Sequence, residues 1–308
     1  MLSRRAFLGS SAVAVVCGAI APRWARAWPQ QPAPVTAVFT DIRRNVGFFT
    51  GRGGTVGYLI DATGVAVVDS QFPDSAKLLV AGLAERSKSR PVDRLINTHH
   101  HGDHTAGNIA FKGVATKVVA HAKAAEHMRQ PPGQNPPAAE QLYPDATFTD
   151  VWREAVGDEW VRAKFYGPAH TSGDVVVTFE RANVAHMGDL MFNQRHPIVD
   201  RAAGASIRNW IAVLEGAVKD HSNDTVYIFG HANTNLPVTG GRADVMQLRD
   251  YLTALLAFVG GQIKAGKGRD EILAMRDPLA GFESFGRFGN PNPRDPVTVA
   301  YEELTSKA

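Results

Sequence analysis

Apolar residues recur along this chain in two rhythms that follow one another. Short runs of β type occupy residues 36–40, 55–60, 65–69, 92–97 and 117–120. Between them, residues 75–87 place Leu78, Leu79, Leu83 and Ala84 at helical spacing, a further helix is expected at or just after Gly102, and another from His121. Residues 129–143 hold four prolines in two pairs and read as a long loop over or beside whatever lies nearby. The second half returns to the same style, with strands predicted at 160–165, 175–180, 184–187 and 225–229 and helices at 206–218 and 242–264. A stretch rich in Gly, Phe and Pro, 282–292, precedes a short helical tail. No sequence repeat of fixed period is present; the order of elements is what recurs. Strands clustered among helices in each half predict two sheets packed face to face with helices outside, in one pseudo-symmetric domain. The alternation is too irregular for an eightfold β/α barrel, and no Gly-x-Gly-x-x-Gly follows the first strand as a dinucleotide fold would favour.

Composition narrows the class. With 308 residues, 44% of them hydrophobic, the chain can bury a large core and is not globally disordered. A lone Cys17 rules out a disulfide framework. The formal charge of +3 suggests a basic protein only until its distribution is read. Residues 1–27 hold Arg4, Arg5, Arg23 and Arg26 and no acid, so the remainder carries 29 basic against 30 acidic residues, a net of −1. That opening stretch resembles a twin-arginine export signal: Ser3-Arg4-Arg5-Ala6-Phe7-Leu8, an Ala/Val-rich run to about Ala21, and a small-x-small site at Ala25-Arg26-Ala27. The apolar run is shorter than the roughly 20 residues of a membrane span. The expectation is cleavage before Trp28, a periplasmic or otherwise extracytoplasmic location, no stable membrane anchor, and a mature chain without any thiol. Residues 28–308 then form one domain with a C-terminal helical extension.

Histidine carries the chemistry. His99, His101, Asp103 and His104 form H-x-H-x-D-H, a pattern expected by chance about once in a thousand such chains, which makes it a strong sign of a metal site. Alternate residues at a strand end face the same way, so His99 and His101 can share one cation, while Gly102 allows a turn that presents Asp103 and His104 to a second. Imidazole and carboxylate without thiolate suit Zn²⁺, and the residues alone leave manganese and iron open. Three more ligand-type side chains, His170, Asp189 and His231, each follow an apolar run, where the loops of an α/β sheet gather into a site.

Together these segments resemble the metallo-β-lactamase superfamily over roughly residues 35–236. The resemblance implies a four-layer αβ/βα sandwich with two Zn²⁺ at one edge. It implies that His99, His101 and His170 hold the first zinc, that Asp103, His104 and His231 hold the second, and that Asp189 bridges them. Asp69 matches the aspartate that braces the metal loop from behind. The implied reaction is hydrolysis of a carbonyl-type bond in a small molecule (β-lactam amide, lactone or thioester) by metal-activated hydroxide, with Asp103 orienting the nucleophile.

The branch is less sharply marked. Residues 98–108 and 170–173 are similar to glyoxalase II, yet the tail lacks a basic cluster for glutathione. Residues 167–171 and 174–177 are similar to true β-lactamases, whose commonest group has cysteine where Asp189 stands, so a β-lactamase proper is the alternative. Arg195 and His196 are candidate contacts for a substrate carboxylate. A nuclease would need a basic track, which a net charge of −1 does not provide. A flavin-diiron protein would have glutamate at position 101, and a structural zinc protein would close its site with four ligands. A non-hydrolytic metal-binding or redox-associated protein is therefore the weaker reading.

Overall fold

A computed structural model of the protein describes residues 34–130 and 141–306. The expected export signal, residues 28–33 and the centre of the 129–143 loop lie outside those residues. The first half folds into a seven-stranded sheet whose strands lie side by side in chain order: β1 (Val38–Arg43), β2 (Val46–Thr50), β3 (Val56–Ile60), β4 (Val65–Val68), β5 (Arg94–Asn97), β6 (Val118–His121) and β7 (Ala146–Phe148). β1 to β4 form an antiparallel meander. From β4 onward the pairing is parallel, so each step needs a crossover. The first is α1 (Pro73–Ser87), the second α2 (Gly102–Thr105) with the 3₁₀ turn Ala106–Phe111, and the third includes α3 (Ala122–Arg129).

The second half contributes β8 (Val151–Val156), β9 (Glu159–Phe165), β10 (Val175–Phe179), β11 (Val184–His186), β12 (Phe192–Asn193), β13 (Val226–Ile228), β14 (His231–Ala232) and β15 (Thr239–Gly240). Six of them form a sheet in the order β15-β13-β11-β10-β9-β8, and β12 pairs with β14 alone. Four helices follow or interrupt them: α4 (Ile207–Lys219), α5 (Arg242–Lys264), α6 (Arg269–Leu273) and α7 (Pro296–Thr305).

The residue pattern explains the layering. In β4 all four residues are buried; Val65 and Val67 pack with Leu79 and Leu83 of α1, while Ala66 and Val68 face the other sheet. β10 alternates likewise: Val175, Val177 and Phe179 meet the first sheet's Leu59, Val68 and Ile96, whereas Val176 turns to the outer layer with Trp210, Leu214, Leu248 and Val299. Helix, sheet, sheet, helix is the four-layer αβ/βα sandwich expected from the sequence. The helix starts are locally encoded. Pro73 opens α1 with a preset φ, and the Ser206 hydroxyl caps α4 by accepting from the Asn209 N–H. Among the described residues, no helix is long and apolar enough to cross a membrane.

Candidate metal centre

The site is assembled where strands end. β4 runs into Asp69, which is fully buried and sits at φ 68°, a left-handed conformation that costs a non-glycine residue energy. Its carboxylate justifies that strain. Oδ1 accepts from the Thr98 N–H at 2.8 Å, Oδ2 accepts from the Thr98 hydroxyl at 2.7 Å, and Oδ2 lies 2.8 Å from His104 Nδ1. One side chain thus fixes the segment after β5 and turns His104 so that Nε2 faces inward.

Among the described residues that segment contributes to three groups of possible metal donors, one of them His100, His101 and Asp200, and the other two meet at Asp189. His99, His101, His170 and Asp189 form a fully buried group whose potential ligand atoms all lie within 4.8 Å of one another; Asp103, His104 and His231 form a second. In the first, His101 Nδ1 and His170 Nε2 are 2.9 Å apart, and Asp189 Oδ2 is 3.5 Å from His170 Nε2 and 3.9 Å from His99 Nε2. In the second, His231 Nε2 is 3.1 Å from Asp103 Oδ2 and 3.5 Å from His104 Nε2. Asp189 belongs to both, because its other oxygen, Oδ1, is 2.9 Å from His104 Nε2 and 3.4 Å from His231 Nε2. His99 Nε2 is buried with no hydrogen-bond partner. An unpaired nitrogen of that kind, amid converging imidazoles and carboxylates, is what a divalent cation satisfies.

Electrostatics agree. Burial pushes His99 well below the ordinary imidazole range and brings His170 down to about 3, so both offer lone pairs. Burial opposes charge on His104 and His231 as well, but the Asp189 carboxylate and its neighbours outweigh it, lifting His104 well above its ordinary value and His231 to about 9. Asp103, although burial favours its neutral form, is held at about 2 by His104 and His231. Cation uptake would displace the protons that these pairs hold. The second set is also the open side: the Asp103 and His231 side chains keep 29% and 15% exposure, against 0–2% for His99, His170 and Asp189.

Close packing around the ligands depends on two glycines. A Cβ on Gly54 would lie 2.1 Å from the His104 ring, and one on Gly230 would lie 2.2 Å from Asp189 Oδ1. Both residues let backbone approach a ligand more closely than any side chain permits.

All seven residues singled out as ligands are brought together here, with Asp69 behind them. The other two candidates are not alike. Arg195 is exposed. His196 corrects the reading of it as a substrate contact, because its Nδ1 is 2.7 Å from the Tyr251 hydroxyl and its Nε2 3.2 Å from the Gly286 carbonyl. Both ring nitrogens are committed to the fold. His100, alternate to the ligands, packs its ring 4.8 Å from that of His127. Sequence reasoning missed Asp200, 2.8 Å from His101 Nε2, because no motif relates the two positions. It also left Asp174 without a role. That carboxylate accepts from the N–H and hydroxyl of Thr171 at 2.7 Å each, holding the loop of His170, and the Thr-x-x-Asp spacing was the available signal.

Comparison with known proteins follows the same lines. The sequence model of the metallo-beta-lactamase superfamily matches residues 50–252. Metallo-beta-lactamase type 2 of Bacillus cereus is 22% identical over 62% of this chain and 72% of its own length. Hydroxyacylglutathione hydrolase of Rhodospirillum rubrum is 30% identical over 43% of this chain and 45% of its own. Among solved structures, a double mutant of the sec-alkyl sulfatase PisA1 superposes with a TM-score of 0.66 at 16% identity, covering 87% of this chain and 50% of that one. At that identity the likeness is one of fold.

Proposed function

The chain belongs to the metallo-beta-lactamase superfamily, and from that premise we propose that it is an exported, dinuclear zinc hydrolase cleaving a carbonyl-type bond in a small molecule. That it is a metal-dependent hydrolase follows from the family, whose relatives here include β-lactamases and hydroxyacylglutathione hydrolase. The observation supporting two ions is Asp189, whose oxygens divide between the two histidine groups. A single-ion site would not need a carboxylate placed between two sets of donors.

Bound zinc would supply Lewis acidity and bring the pKa of water toward about 7. The chain's own residues do the rest. His99, His101 and His170 would hold one ion, and Asp103, His104 and His231 the other. Asp103 Oδ2, partly exposed beside His231, is the acceptor positioned to orient an attacking water. A substrate enters from this open side, and the buried histidines behind it exclude bulk water. Arg195 is exposed on the loop that leads to Asp200 and offers a cation to a substrate carboxylate.

Elemental analysis tests the reading directly. Protein purified without chelator carries close to two divalent ions per chain, and His101→Ala loses most of one; no more than trace metal in the wild type would sink the dinuclear proposal. Nitrocefin, a lactone, a thioester and aryl sulfate and phosphate esters, assayed on the loaded protein, then separate the substrate classes. A β-lactamase turns over nitrocefin far faster than the others, and a thioester or lactone hydrolase shows the reverse order. Export has its own check. Native protein begins near Trp28 in an extracytoplasmic fraction, whereas a cytosolic protein still starting at Met1 would reject that part of the proposal.

A further inference from the structure

Two ligands of the first donor set turn opposite ring nitrogens toward it, and one short segment governs both. His170 Nδ1 lies 2.7 Å from the Ile198 carbonyl, an obligatory acceptor, so Nδ1 carries the proton and Nε2 is bare. His101 does the converse, with Nε2 at 2.8 Å from Asp200 Oδ2 and Nδ1 pointing at His170. Residues 198–200 thus choose the tautomer of each ring. The Asp200 N–H also donates to the His170 carbonyl at 3.1 Å, joining segment and ligand a second time.

Residue 294, forty-two positions beyond the last residue matched by the family, holds that segment in place. The Val199 N–H donates to the Arg294 carbonyl at 3.0 Å, and Arg294 Nη2 lies 2.9 Å from Asp200 Oδ2, the oxygen that faces His101. The other oxygen of Asp200 accepts from the Ala203 N–H at 3.3 Å and caps the turn Arg201–Ala203. Four residues upstream of Asp200, His196 is tied to Tyr251 and Gly286. Both ends of the loop are therefore pinned to the C-terminal extension.

We infer that Asp200 and Arg294 are positioning residues for the cation of the buried set: the extension holds the 198–200 segment, and the segment fixes which nitrogen of His101 is free to ligate. The inference rests on the metal reading above. Asp200 without Arg294 would keep its hydrogen bond but lose the contact that fixes its carboxylate, and His101 without Asp200 would be free to move its proton to Nδ1, the ligating atom.

The test uses the mature full-length chain, Co²⁺ as the probe metal and ¹⁵N-labelled histidine in the metal-free protein. Asp200→Ala and Arg294→Ala should each weaken one Co²⁺ equivalent by about 10–100-fold in chelator competition and leave the other unchanged. Arg294→Lys should recover most of the loss, and Arg287→Ala, a surface pair with Asp277 in the same extension, should have no effect. In the metal-free wild type His101 Nε2 should carry a proton, whatever proton Nδ1 shares with His170 Nε2 at 2.9 Å, and Asp200→Ala should lower the occupancy at Nε2 while circular dichroism stays native. Unchanged affinity for both equivalents and an unchanged His101 tautomer in folded Asp200→Ala would overturn the inference. Equal weakening of both equivalents in Arg294→Ala and Arg294→Lys would also overturn it, by reducing the extension to general support. Wild type that takes up only one Co²⁺ would defeat the dinuclear reading, while the tautomer measurement would still decide the role of Asp200.

Discussion

Asp189→Ala is expected to lower kcat for every substrate the protein hydrolyses, together and by about 10³-fold, since several kcal/mol of charge stabilisation at a metal site corresponds to a factor of that order. The reason lies in its two oxygens. Oδ2 faces His99 and His170, and Oδ1 faces His104 and His231, so one truncation removes a donor from both sets. It also leaves four imidazoles converging on a space without the carboxylate that compensates them. Because the residue is buried to within a few per cent, KM should change little. Steady-state kinetics on at least two substrate classes, with metal content measured on the same samples, checks this. A loss confined to one class, or expressed only in KM, would show that Asp189 acts on a substrate rather than on the ions.

Asp69→Ala should destabilise the metal-free protein by about 3–5 kcal/mol, the range for breaking a buried charged pair by removal of one partner. Three groups lose their acceptor at once: the Thr98 N–H, the Thr98 hydroxyl and His104 Nδ1. None can turn to water, since Asp69, Thr98 and His104 are all buried. The left-handed backbone at position 69 adds to the cost, because alanine tolerates φ 68° less well than aspartate does. Asp69→Asn should lose less, as its amide oxygen still accepts from Thr98 while the charge opposite His104 is gone. Urea unfolding in the presence of chelator measures both. A loss below about 1 kcal/mol for the alanine variant, with an unchanged denaturant slope, would mean that the loop is held by something other than Asp69.

What could be read in the sequence and what could not divide along physical lines. β4, β10 and β11 are buried on both faces and announce themselves as short runs that are apolar but for Thr178 and His186. The amphipathic pattern begins and ends where α5 does, at Arg242 and Lys264. β8 escaped because it lies at the sheet edge, and its exposed positions Val151, Arg153 and Ala155 alternate with partly buried Trp152 and Glu154 in no clear polar order. β2 escaped because the turn before it is made by Arg44 and Asn45, both at positive φ, without the glycine that usually marks a two-residue hairpin. The ligands were legible because short-range spacing or a strand end placed each of them. Asp200 was not: its partner His101 is 99 positions away, and only the folded path of the 198–200 segment joins the two.

The centre also straddles a seam. His99, His101, Asp103 and His104 follow β5 of the first sheet, while His170 and Asp189 follow β9 and β11 of the second and His231 lies in β14, just after β13 of that sheet. An ion shared between His104 and His231 would be a reversible cross-link closing a loop of 127 residues. The full donor set for such a link would be complete only once both halves of the chain have folded and met. Without an ion, this rim is already joined by backbone hydrogen bonds, the Thr55 N–H donating to the Gly230 carbonyl and the Val175 N–H to the Thr98 carbonyl, each at 2.9 Å. A bound ion would then add to the core that holds the two halves shut, and so to how long the chain survives a protease.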